Sequence, residues 1–209
     1  MIELYGITRH PGPALPALAP LRLVAGDGLA IVCVPAGGDE DTTAQALWRH
    51  EAVVEALMED RDVLPVRYGT RLADEAAARR VLAERHDEFA GALRRIEGAF
   101  ELSVRCALAS QAETASAAAS GAAYVARKTR AAAAADEAAR AVHDPLALLA
   151  RESRSRTPRG PAEILRAAYL VDRDGVDGFT RRVGELQTEH ARLRLLCTGP
   201  WPPYSFVAP

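Results

Sequence analysis

The chain has 209 residues, 49% hydrophobic and 26% charged, with 26 Lys and Arg against 28 Asp and Glu. That apolar share suits a folded globular protein and excludes intrinsic disorder, a collagen repeat and a disulfide scaffold. The formal net charge of −2 argues against a general nucleic-acid binder, which needs a basic excess to neutralise phosphates.

Ile2–Thr8 reads as a short strand, followed by a Pro-rich loop from His10 to Pro20 that can continue neither helix nor sheet. Leu21–Ala25 and Leu29–Val34 are apolar runs joined by Gly26-Asp27-Gly28, a hairpin signal because these residues accept positive φ. Gly37 to Asp41 is a polar loop. Thr42 or Thr43 then caps a helix whose core side is Ala46, Leu47, Val53, Val54 and Leu57. Val63–Tyr68 reads as a strand, with Pro65 placing it at a sheet edge or a bulge. Asp74 opens one helical stretch that runs to about Glu97, and Gly98 ends it. Phe100, Leu102, Val104, Cys106 and Leu108 alternate with smaller or polar residues as a half-buried strand.

From Gln111 to about His143 alanine dominates, which predicts a long helix. Arg151 to Gly160 is polar and basic, either a solvated loop or an edge strand. Glu163 to Asp172 reads as a strand, Gly175 to His190 as an amphipathic helix, and Leu193 to Cys197 as a last strand. Gly199 to Pro209 is a Pro- and aromatic-rich tail. The second half thus orders as β-α-β-β-α-β, the split order of a ferredoxin-like module. The expected class is α+β with two domains: an N-terminal α+β domain over 1–97, a ferredoxin-like domain over 98–198, and the tail over 199–209.

Catalytic and metal-binding patterns are scarce. His50-Glu51 begins like a zincin helix, but Val54 stands where the second histidine is required. Gly26-Asp27-Gly28 lacks the third glycine of a dinucleotide fingerprint. Gly37-Gly38 lacks the Lys-Ser/Thr of a phosphate loop, and no Gly-x-Ser-x-Gly elbow occurs. Cys33, Cys106 and Cys197 lie among apolar residues without a Cys-x-x-Cys pair and read as buried, inert thiols. Arg151, Arg154, Arg156 and Arg159 have no interleaved aromatics for base stacking, so a solvated loop is the default reading. No catalytic residue, metal site or cofactor is expected, and no nucleic-acid partner. The N-terminus carries no secretory pattern, and the least charged window, Thr114 to Ala126, is too short for a bilayer span of roughly 20 residues. A cytoplasmic protein is expected.

Two segments stand out. Val63-Leu64-Pro65-Val66-Arg67-Tyr68-Gly69-Thr70 joins a Pro-bearing edge strand to a Gly-Thr turn. Thr198-Gly199-Pro200-Trp201-Pro202-Pro203-Tyr204-Ser205-Phe206 presents three aromatics on a backbone stiffened by proline, either packed back as a lid or docked on a partner. With these, the stretches Leu4-Tyr5-Gly6-Ile7, His50-Glu51-Ala52-Val53-Val54-Glu55, Gly98–Arg105, Ser120–Val125 and Ala167–Val171 resemble the gas vesicle protein family GvpF/GvpL, in family order over nearly the whole chain. Tyr68 and Phe100 stand where that pattern suggests phenylalanine and valine.

The resemblance implies a non-enzymatic accessory protein, or minor structural component, of gas vesicle formation. Its implied partners are the small hydrophobic shell subunit of GvpA type and other gas vesicle accessory proteins. Binding the shell subunit would prevent aggregation and assist nucleation or assembly. Val63, Pro65, Arg67 and Tyr68 are the candidate shell contact. Trp201, Tyr204 and Phe206 are the candidate packing or docking residues of the tail, expected mainly to lock the two domains together. The alternative left open by the residues is a ferredoxin-like small-ligand-binding or sensing protein.

Overall fold

The computed structural model describes residues 1–17, 19–36, 44–109, 121–160 and 162–207. The chain divides into two compact units, Met1–Phe100 with Trp201–Pro209, and Glu101–Pro200.

In the first unit, β1 (Ile2–Arg9), β2 (Arg22–Gly26), β3 (Leu29–Pro35), β4 (Val63–Pro65) and β5 (Arg71–Leu72) form one antiparallel sheet. The strand order is β2-β3-β1-β4, with β5 also paired to β1. Asp27 and Gly28 both take positive φ, 50° and 77°, so the β2–β3 turn is of the mirror-image type that matches strand twist. Five successive residues of β3, Leu29 to Cys33, are buried, so both faces of the sheet are covered. Helix α1 (Ala44–Met58) lays Val53, Val54, Leu57 and Met58 against Tyr5, Val32 and Val63. Helices α2 (Glu75–Glu84) and α3 (His86–Ile96) pack against β2 and β3, and against β1 and β4.

Several expectations change here. The polar loop at Gly37–Asp41 and the cap at Thr42 or Thr43 lie outside the described residues. On α1 Leu47 is exposed, and its inward place is taken by His50, one helical turn after Ala46. The strand expected over Val63–Tyr68 stops at Pro65, because Val66 begins a loop that leaves and rejoins β1. The single helix after Asp74 is two helices broken at Arg85. The Arg85 N–H closes α2 on the Val81 carbonyl, and His86 reaches across to the Asp27 carbonyl at 3.1 Å. Asp74 caps α2 as expected, its carboxylate accepting from the Ala77 N–H at 2.7 Å.

The second unit follows the order β6 (Ala99–Leu108), α4 (Gly121–Ala147), β7 (Glu152–Ser155), β8 (Glu163–Asp172), α5 (Val176–Glu189) and β9 (Leu193–Trp201). The strands lie in the spatial order β7-β8-β6-β9, with β7 antiparallel to β8. Leu102, Val104 and Cys106 of β6, with Leu165, Ala167, Tyr169 and Val171 of β8, meet Val142, Leu146, Phe179, Val183 and Leu186 from the two helices. The 151–160 segment thus contributes an edge strand, and β9 runs four residues further than expected, to Trp201. Leu108, expected inward, is exposed. The start of the alanine-rich helix, 111–120, lies outside the described residues. Its end runs on through Pro145 to Ala147 because fully buried Val142 and Leu146, four residues apart, anchor the last turn. Cys33 and Cys106 are buried as expected, whereas Cys197 is only half-buried; burial pushes the Cys106 thiol up to about 11 and raises those of Cys33 and Cys197.

Candidate functional site at the edge of the first sheet

The site is built where β1 is irregular. Pairing of β1 with β3 shifts register between Leu4 and Gly6, so Tyr5 is a bulge residue, and bulges re-aim side chains. Gly6 follows because β4 passes close. A Cβ there would meet Val63 Cγ1 at 2.7 Å and the Leu64 carbonyl oxygen at 3.0 Å. On the other side of β1, the chain from Val66 to Thr70 loops out between β4 and β5. The Val66 N–H donates to the Tyr5 carbonyl at 2.9 Å, and the Thr70 N–H and hydroxyl donate to the Arg67 carbonyl at 3.2 and 2.7 Å. Gly69, at φ 80°, supplies the positive φ that a type II turn needs at its third residue.

His50 ties the loop to α1. It is 1% exposed, and its Nε2–H donates to the Val66 carbonyl at 2.8 Å. A carbonyl can only accept, so the hydrogen sits on Nε2. Nδ1 is buried without a hydrogen-bond partner among the described residues. The imidazole stacks on Tyr5, centroids 4.7 Å apart at 15°, and meets Tyr68 edge-on at 5.6 Å and 74°. Next to His50, Glu51 accepts from the Tyr204 hydroxyl at 3.2 Å. Burial first, and Glu51 after it, pushes the Tyr204 phenol well above its ordinary range, so it stays a donor.

The expected contact residues separate by burial. Val63 and Pro65 are buried, Tyr68 is half-buried and Arg67 is exposed. β4 is an edge strand, and Pro65 deprives that edge of one N–H. Beside it lies a groove of about 200 Å³ whose walls include Ile7, Leu64, Pro65, Phe89 and Val207. Of the tail residues, Phe206 is fully buried, Tyr204 half-buried and Trp201 exposed. The Arg95 guanidinium donates to the Phe206 carbonyl. The loop after α1 is a second anchor. The buried Arg61 side chain donates to the carbonyls of Pro13 and Ala14 at 3.1 and 2.6 Å, pinning the Pro-rich loop, and Asp62 accepts from the Gly98 N–H at 2.8 Å.

The sequence marks His50 and Glu51 only as an incomplete zincin start and, with Tyr5, as part of the family resemblance; it does not single out Arg61 or the contacts these four residues make. The spacing 46, 50, 53, 54, 57 on one helix face was the available signal that His50 points inward. Among the described residues no three His, Cys, Asp or Glu side chains converge on a common point, and no helix is long and apolar enough to cross a membrane.

Fold and site together define an α+β protein with two sheets, whose sequence-distant segments meet at one sheet edge. A match to the family described as gas vesicle synthesis protein GvpL/GvpF spans residues 3–208, so the chain belongs to that family and has a role in gas vesicle formation. The family is one of gas vesicle proteins, not a known enzyme family. The chain is 33% identical to gas vesicle protein L of a Streptomyces species, covering 98% of this chain and 91% of that one. It is 31% identical to gas vesicle protein F of the same organism, covering 98% of each. The fold matches crystal structures of GvpF from an Anabaena species (TM-score 0.85, 22% identity, 100% of this chain and 96% of that one) and from Microcystis aeruginosa (TM-score 0.83, 18% identity, 100% and 99%).

Proposed function

We propose that this protein is a cytoplasmic accessory factor, or minor component, of gas vesicles that binds the hydrophobic shell subunit of GvpA type, with other gas vesicle accessory proteins as further partners. A subunit that polymerises into an apolar-faced wall exposes aggregation-prone surface before assembly. A partner that covers such surface while offering a sheet edge keeps it dispersed and assists nucleation. The observation that carries this reading is the β4 edge, where the Arg67–Thr70 turn projects exposed Arg67 next to Tyr68 and an apolar groove.

In this reading Arg67 and Tyr68 make side-chain contact, while buried Val63 and Pro65 shape the edge that presents them. The chain acts as two domains, 1–97 and 98–198, the second ferredoxin-like, which its β-α-β-β-α-β order and β7-β8-β6-β9 sheet support. The tail, through Trp201, Tyr204 and Phe206, serves mainly as a packing element, supported by the burial of Phe206.

The test is co-expression of the full chain with the shell subunit, followed by capture on a tag. The Arg67→Glu, Tyr68→Ala double variant should lose most of the captured subunit while melting within a few degrees of the parent. Undiminished capture by the double variant would remove the assignment of this edge.

A further inference from the structure

The second sheet carries a charge pattern that shell-subunit binding does not use. On β6, β8 and β9, core residues alternate with arginines. Arg105 lies between Val104 and Cys106, Arg166 between Leu165 and Ala167, and Arg194 follows Leu193, all five of these neighbours being core. With period two, the three guanidinium groups share the face turned away from α4 and α5. The strand order puts β6 between β8 and β9, so the three arginines stand on neighbouring strands. Like charges gathered on one face of a sheet repel one another and favour an anionic partner.

These side chains, with Arg159 and Leu196, line a concavity of about 530 Å³, within the roughly 300–1,000 Å³ usual for binding sites. Glu163 is the one carboxylate on its wall among the described residues. It is held in a fork by Arg166, at 3.0 and 3.1 Å from Nη2 and 3.3 Å from Nε, and also accepts from the Arg159 backbone N–H. Glu163 and Arg166 side chains are only 12% and 14% exposed. These contacts, with Arg105 nearby, hold the Glu163 carboxyl below the usual carboxylate range. The site thus already contains one satisfied arginine–carboxylate pair, and exposed Arg105 and Arg194 stand beside it in excess.

We propose that this concavity is a second docking site, which takes an acidic segment of a partner protein with its carboxylates on Arg105 and Arg194 and its aliphatic side chains on Leu196. Guanidinium forks match carboxylates bidentately, as Arg166 and Glu163 demonstrate in place. The bound segment offsets the charge of Arg105 and Arg194, the two arginines that the Arg166–Glu163 pair does not include. The wall between the arginines is mostly apolar, and Leu196 is 53% exposed, which suits a peptide better than a free ion. No aromatic lines the site among the described residues to stack a base, which disfavours a nucleic acid.

The experiment uses the full chain and a fluorescein-labelled peptide of alternating glutamate and leucine, read by anisotropy. Beside it run the same peptide with glutamine for glutamate, a single-stranded oligodeoxynucleotide, and inorganic phosphate as competitor. The acidic peptide should bind, its glutamine analogue should not, and affinity should fall as salt is raised. Arg105→Gln with Arg194→Gln should weaken binding roughly fivefold to tenfold, from two exposed ion pairs lost. Arg194→Gln alone should give an intermediate loss, and serves if the double variant folds poorly. Equal binding of the glutamine analogue, or unchanged binding by the Arg194→Gln and double variants, overturns the proposal. So does binding of the oligonucleotide in preference to the peptide, or displacement of the peptide by millimolar phosphate at constant ionic strength. The result is independent of shell-subunit capture at Arg67 and Tyr68, so either reading can fail alone.

Discussion

His86 shows how one exposed side chain can report on a hairpin. Its Nδ1 faces the Asp87 carboxylate at 3.0 Å and its Nε2 the Asp27 carbonyl at 3.1 Å. The Asp87 hydrogen bond chiefly, with Asp27 adding to it, raises the pKa of the imidazole above its ordinary value. A raised folded-state pKa stabilises below the unfolded pKa, about 6.5, and that contribution is lost as pH rises through the folded value. The melting temperature of the parent should therefore exceed that of His86→Ala by more at about pH 5.5 than at about pH 8.5. A gap that stays level or widens with pH would refute this contact. Gln187 works at the same scale on β9. Its amide donates to the Leu193 carbonyl and accepts from the Leu195 N–H, both at 2.9 Å, so a side chain occupies part of a sheet edge that would otherwise invite pairing.

Among elements, α4 is the least evenly supported. Every described residue from Gly121 to Ala134 is exposed, whereas Ala138, Ala139, Val142, Leu146 and Ala147 contribute to the second core. Alanine propensity alone leaves an isolated stretch of about 12–15 residues marginal in water, and tertiary packing supplies the rest. Amide hydrogens of the first four turns should thus exchange at least about tenfold faster than those of 138–147, read by mass spectrometry on the full chain. Uniform protection along the helix would mean that the first turns are covered. The break between α2 and α3 is the opposite case, two short helices each held by its own buried residues, Ala78 with Leu82 and Phe89 with Leu93 and Ile96.

For the whole molecule, the last residues decide the integrity of the first unit. The 3₁₀ turn Tyr204–Phe206 buries Phe206 completely, and the hydrogen bonds to Glu51 and from Arg95 reach α1 and α3. Deleting Pro202–Pro209 should cost about 3–5 kcal/mol, the usual penalty for removing a buried aromatic, and lower the melting temperature by about 10 °C. An unaltered melt combined with lost partner capture would instead make the tail a docking element.

Local chemistry in the sequence determined most elements of this protein. Asp27-Gly28 set the hairpin turn, Asp74 started a helix, and the alternation from Leu102 to Cys106 placed a strand, because turn, cap and period-two signals act over a few residues. The element order of the second half was legible in the same way, and the gas vesicle family was legible as a resemblance of stretches spread along the chain. What the chain could not announce locally was where distant segments meet. That Tyr5, His50, Val66 and Tyr68 form one cluster, that Gly6 is needed by β4, and that Arg61 holds a loop 47 residues away were decided by tertiary packing alone. So was the gathering of Arg105, Arg166 and Arg194, since strand order, not sequence distance, makes them neighbours. Pairing across a sheet joins residues far apart in the chain, and no local pattern encodes which strand lies beside which.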